Sequence, residues 1–134
     1  MHKLRVCIGS ADGETIAKTH FGDTEFFYIY DLAEGSGSTF IGQRLNMARD
    51  MDHAQTDKMK KILDLLNDVD ILVAQQKSPN FIKIASQTKY QPVVVRAERM
   101  QQIVILLQNE FKRLYSFVER RKSGETFELI PELQ

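Results

Sequence analysis

The stretch from Thr19 to Leu32, THFGDTEFFYIYDL, decides how the rest of the chain must fold. Its second half is a dense run of aromatic and β-branched residues, side chains that suit a pleated surface. Because side chains alternate along a strand, Phe26, Tyr28, Tyr30 and Leu32 share one face while Phe27 and Ile29 share the other. Both faces are apolar, which predicts an interior strand covered on both sides. The first half, His20-Phe21-Gly22-Asp23, places a polar turn at the mouth of that strand, and a functional site is expected there.

Upstream, Leu4 to Gly9 (LRVCIG) is a short apolar run that ends in a Gly-Ser-Ala-Asp-Gly cluster, so a first strand runs into a loop carrying Ser10, Asp12 and Gly13. Downstream, Ala33 to Gly37 supplies a hairpin turn, and Ser38 to Leu45 reads as a third strand antiparallel to the second. Arg49 to Gln55 is polar and reads as irregular.

From Thr56 the period changes. Met59, Ile62, Leu63 and Leu66 fall on one face of an amphipathic helix, with Lys58, Lys60, Lys61 and Asp64 assigned to its wet side. Asp70 to Ala74 is a continuous apolar run of the kind found in parallel strands. Ser78 followed by Pro79 starts a short helix carrying Phe81, Ile82 and Ala85, serine as cap and proline preset for the first turn. Gln91 to Val95 forms the last core strand, and proline is tolerated at its start. A final helix is expected over about 98–118, its stripe running from Met100 through Leu107 and Phe111 to Val118. Leu106 and Phe117 widen that face, which suits a deep seat on the sheet or a dimer contact. Residues 119–134 form a tail that adds a short edge strand or hangs free.

The expected fold is therefore α/β. A mixed five-stranded sheet with an early antiparallel hairpin carries helices on its faces, in one domain over residues 1–118. Ligands of such sheets sit beyond the carboxyl ends of the parallel strands, here the 10–20 and 75–80 loops.

Bulk properties exclude several classes. A chain of 134 residues fits one domain and buries roughly two-thirds of its unfolded surface without a staple. Eighteen basic and eighteen acidic residues cancel, so no global field attracts nucleic acid or an anionic membrane. One cysteine, Cys7, cannot form an internal disulfide, the opening MHKLRVCIGS lacks a signal-peptide core, and no apolar run nears the roughly 20 residues of a membrane span. A soluble, cytoplasmic setting is expected.

His20 is the sharpest chemical candidate, an imidazole ahead of a glycine that lets backbone approach a bound group, although a loop histidine held by hydrogen bonds has the same signature. His53, before the first helix, is a second possible ligand. No zinc motif occurs, nor GxGxxG, P-loop or GxSxG. Asp12, Asp31 and Asp70 could be grouped as a divalent-metal cluster, but turn, strand-end and strand-start roles explain each of them. The basic run at 119–122 reads as a solvated face.

The SADGETI loop, HFGDTEFFYIYDL, and the run DHAQTDKMKKILDLLNDVDILVA together resemble the nitrogenase iron-molybdenum cofactor biosynthesis family, which includes the NifX and NafY carriers and the C-terminal part of NifB. The resemblance covers about residues 4–117. It implies a ribonuclease-H-like fold and a non-enzymatic carrier or scaffold of nitrogen fixation. Such a protein holds an iron-sulfur or iron-molybdenum type cluster between donor and acceptor proteins; from the wide final helix, a monomer or weak homodimer is expected. Carried over by position, it makes His20 the cluster ligand, with Phe21 and Gly22 shaping the turn and His53 a weaker metal-ligand match. Ser10 and the turn carrying Ser78 and Asn80 would line the cleft. Where members have a glycine-containing turn after the fourth strand, this chain has QQKSPN, so Ser78 and Asn80 would act there by side chain. The rivals are an interaction module of the same fold that has lost the cluster and, more remotely, a hydrolase built on Asp12 and Asp70.

Overall fold

The computed structural model describes residues 2–51 and 56–134. In chain order its elements are β1 (Lys3–Ser10), a 3-10 turn (Phe21–Asp23), β2 (Phe26–Ala33), β3 (Gly37–Leu45), α1 (Thr56–Leu65), β4 (Ile71–Ala74), α2 (Pro79–Gln87), β5 (Gln91–Val95), α3 (Met100–Asn109), α4 (Phe111–Lys122) and β6 (Glu132–Leu133). The sheet runs β3-β2-β1-β4-β5-β6. β2 is antiparallel to both its neighbours, while β1, β4, β5 and β6 are mutually parallel. Gly35 and Gly37 turn the β2–β3 hairpin at φ of 73° and 83°, values that β-carbon-bearing residues avoid.

Alternation along the strands builds two cores. Leu4, Val6 and Ile8 of β1, Tyr28 and Leu32 of β2, Ile71 and Val73 of β4, and Val93 and Val95 of β5 pack beneath Ile103 and Leu107 of α3 and Leu114 and Val118 of α4. On the opposite face Cys7, Phe27, Ile29, Leu72 and Val94 meet Ile62 of α1 and Phe81, Ile84 and Ala85 of α2. Each fully buried large apolar side chain contributes about 1.5–3 kcal/mol, so the continuous apolar runs of the sequence are what a three-layer α/β/α arrangement requires.

Two expectations change. The sheet has six strands rather than five, because the tail folds back: Val94 N–H reaches Pro131 O at 2.9 Å and Arg96 N–H reaches Leu133 O at 3.0 Å. The single final helix is two helices, broken at Glu110, whose backbone leaves the helical region at φ −99° and ψ 15°. Neither glycine nor proline marks that break; it lets Phe111, Leu114 and Val118 rejoin the core that Ile103 and Leu107 began.

Arg121 locks the tail. Its guanidinium, 3% exposed, donates to Gln91 Oε1 (2.7 Å), Ala85 O (2.6 Å), Thr88 O (3.1 Å) and Phe127 O (3.0 Å), and lies 4.0 Å from the Phe127 ring centroid. Burial pulls its pKa down to about 10, which leaves it charged at neutral pH. At the amino end of the parallel strands, Arg44 and Arg5 both clasp Asp68 (2.7 and 2.9 Å), and Arg5 also holds Asp31 at 2.8 Å. Arg44 first, then Arg5, holds the Asp68 carboxyl well below its ordinary value.

Replacing Arg121 by methionine strands four acceptors and should cost about 2–4 kcal/mol. Urea unfolding should show a lower midpoint, and limited proteolysis should be faster within residues 123–131; an unchanged midpoint would refute the lock. Asp68→Asn should cost about 1 kcal/mol at pH 7, since the pairs are partly exposed. A carboxyl with a lowered folded pKa stabilises above its unfolded value and loses that contribution as pH falls. The gap between variant and parent melting temperatures should therefore shrink as pH is taken from 5 towards 2.

Candidate functional site

β1 delivers the chain to the carboxyl end of the sheet, and the first residues there are consumed in shaping a loop. Ser10 is fully buried; its hydroxyl donates to Thr15 O at 2.6 Å and accepts from Gly13 N–H at 2.9 Å. The Asp12 carboxylate accepts from the N–H groups of Thr15 and Glu14, both at 2.9 Å, and these bonds lower its pKa to about 2. Ser10 was expected to line the cleft; instead it holds the loop closed and does not border the cleft. Ile16 N–H to Glu98 O, Ala17 N–H to Gly9 O and Gln76 Nε2 to Lys18 O then tie the loop to its surroundings.

His20 follows, exposed, at the start of the 3-10 turn, where its carbonyl accepts from Asp23 N–H at 3.0 Å. The turn is braced from several sides. The buried Phe21 ring lies 5.3 Å from Phe27 and 5.5 Å from Phe81, so it joins the strand below to α2. Asn46, also buried, donates to Gly22 O (2.9 Å) and Thr24 O (2.8 Å). A β-carbon on Gly22 would stand 3.2 Å from Ile62 Cδ1, so glycine lets α1 close against the turn. Asp23 accepts from Lys58 Nζ at 2.6 Å, and that ammonium also donates to Arg49 O at 3.2 Å.

Lys58 corrects the helix reading. Assigned to the wet side of α1, its side chain is 3% exposed. The signal was present in the spacing: residues 58, 62 and 66 are each four apart, so Lys58 shares a face with Ile62 and Leu66. Its aliphatic stem packs like a core residue and its head reaches a carboxylate. Asn46 carries no such periodic signal, and neither it nor Lys58 was foreseen as part of the site.

Across from the turn, Ser78 caps α2: its hydroxyl accepts from Phe81 N–H at 3.2 Å, with Pro79 in the first turn. His20, Phe21, Gly22, Ser78 and Asn80 thus border one cleft between the 3-10 turn, α1 and α2, together with Asp23, Lys58 and Met59. Its enclosed part is only about 20 Å³, room for one water-sized group. A larger open groove of about 530 Å³ lies between the 13–14 loop, β3 and α3, bordered by Tyr30, Ser38 and Arg99, and contains none of the residues expected at the site. His53 lies outside the described residues. Among those described, no three His, Cys, Asp or Glu side chains converge as a metal-ion cage.

The carboxylate rival fails on distance. Asp31 and Asp70 are bound to Arg5 at the amino end of β1, and Asp12 follows its carboxyl end. Arg5 to Ser10 alone spans roughly 17 Å of strand, far beyond what one or two metal ions bridge. Cys7 is wholly buried, which pushes its thiol pKa up and leaves it inert. No helix among the described residues is long and apolar enough to cross a membrane.

No curated protein and no solved structure matches the chain. Residues 2–110 match the family model described as dinitrogenase iron-molybdenum cofactor, a span that takes in the HFG turn, α1, α2 and the cleft between them. By that match over most of its length, the chain belongs to the dinitrogenase iron-molybdenum cofactor family.

Proposed function

We propose that the protein is a carrier or scaffold, not an enzyme, for an iron-sulfur or molybdenum-containing cluster that it receives from a donor protein and passes to an acceptor. The observation that carries this reading is an exposed imidazole on a turn that aromatic contacts, a buried lysine and a buried asparagine hold in place. Family membership supports a role in the biosynthesis or binding of the nitrogenase cofactor. The strand order, with β2 antiparallel between β1 and β3, supports a ribonuclease-H-like layout.

A metallocluster brings its own sulfides, so the carrier has little to add. One imidazole at His20, polar groups at the Asn80 side of the cleft and an apolar wall from Met59 and Phe81 form a sufficient contact. The enclosed space is far too small to swallow a cluster, so the cargo would rest against the mouth and remain exchangeable. Ser78 contributes through its cap, by presenting the start of α2, more than by an independent donor. His53 stands as a second ligand in this proposal, and the cytoplasm is the setting in which such a carrier would meet its partners.

The test is anaerobic: protein is offered an iron-sulfur or thiomolybdate cluster, then desalted and read by elemental analysis and visible absorption. The expected result is stoichiometric metal with charge-transfer bands, and roughly ten-fold or greater loss of retention in His20→Ala. No uptake by the parent chain would overturn the carrier reading; equal uptake by both would remove His20 from it. Lys58→Met keeps the packed stem and drops the ammonium. It should lower stability by about 1–2 kcal/mol while weakening cluster retention several-fold, through a loosened turn. Retention equal to the parent's would show that the brace has no bearing on the cargo.

A further inference from the structure

The two edges of the sheet are finished differently. β6 is two residues long, and its Glu132 pairs with Arg96 at 3.5 Å. β3 is nine residues long, its first seven residues carry no charge, and its one cation, Arg44, is turned back onto Asp68. An exposed edge is a row of unpaired N–H and C=O groups, and monomeric proteins guard it with lysine, proline or brevity. Among the described residues β3 has none of these, and its guard is a bulge where its register on β2 skips Ile41.

The edge is also apolar. Seven large hydrophobic side chains are exposed among the described residues, and four of them, Phe40 (53%), Ile41 (45%), Leu45 (58%) and Met47 (65%), lie on β3 or two residues beyond it. Phe40 extends an aromatic row across the hairpin, 5.3 Å from Tyr30 and 6.1 Å from Tyr28. Such a concentration marks a contact surface.

We propose that β3 is the interface of a symmetric homodimer, in which the β3 strands of two copies pair antiparallel and join two six-stranded sheets into one. The occupant follows from charge. In an antiparallel two-fold contact residue i of one copy faces residue j of the other and j faces i, so a strand whose outward run is uncharged meets its own copy without burying an unpaired charge. β3 is neutral along its outward run, and the whole chain has no net charge to keep copies apart. Antiparallel pairing points the carboxyl ends of the two β1 strands in opposite directions, so both His20 clefts stay open.

The test uses the full chain without any cluster, so it stands or falls apart from the carrier reading. Sedimentation equilibrium from roughly 5 to 500 µM should show the mass rising towards two chains. Over the same range, hydrogen exchange read residue by residue should slow at the amides of residues 37–45. Ile41→Lys, on an exposed bulge residue, should raise the dissociation constant ten-fold or more with the dilute melting temperature unchanged. Should that variant misfold, Thr39→Lys, opposite Asp31 on β2, probes the same contact. A single-chain mass throughout, or a dimer that leaves β3 exchange and both lysine variants unaffected, would overturn the proposal. So would association with a foreign strand by a chain that never pairs with itself.

Discussion

From Val6 to Ser10 every residue of β1 is buried, and a strand without a wet side demands a layer of helices above and below it. That requirement organises the chain. It explains why β4 and β5 are apolar at consecutive positions, why α1 and α2 go to one face, and why α3 and α4 take the other. The kink at Glu110 divides the helical cover of that second face into two segments. Two shorter segments keep Phe111 and Val118 on the same core as Ile103.

Because the interior is closed on both faces, chemistry is confined to the ends of the strands. At the carboxyl end of β1 the backbone is so crowded that a β-carbon on Gly9 would stand 3.0 Å from Thr24. The loop that follows satisfies itself through Ser10 and Asp12, and the HFG turn is then set down on three supports of different kinds. Phe21 anchors it by dispersion, Asn46 by hydrogen bonds to two carbonyls, and Lys58 by charge. A side chain on such a turn is positioned by the fold before any contact is made, which is what pre-organisation means here.

The sequence was a good guide wherever periodicity carried the information. The strand from Phe26, the hairpin, the Ser78-Pro79 cap and the parallel runs all follow from alternation or capping chemistry, and five of the residues expected at the site border one cleft. What could not be read depends on contacts between segments far apart. The fate of Ser10's hydroxyl depends on Thr15, the Asn46 bonds reach back 22 and 24 residues, and the tail that carries β6 is held by Arg121 bonds to α2, β5 and Phe127 and by backbone bonds to β5. Lys58 is the instructive miss. Its residue type suggested solvent while its spacing suggested the core, and spacing was the better guide because four methylenes can be buried when the ammonium finds a carboxylate.

Arg121 shows what the chain does to finish an edge. A guanidinium buried without a carboxylate is costly, and here only neutral carbonyls, an amide oxygen and an aromatic face receive it. That cost is justified only if the tail it holds has work to do. The work is visible in the register: with Glu132–Leu133 in place, the outer side of β5 is paired rather than open, and Ile130 and Leu133 are buried. Among the described residues the opposite edge, longer and more apolar, has only its bulge at Ile41 as a guard. An exposed nine-residue strand is not a neglected end in a chain that elsewhere buries a charge to cover a two-residue one; the asymmetry itself is the argument that β3 is finished by something outside the single chain.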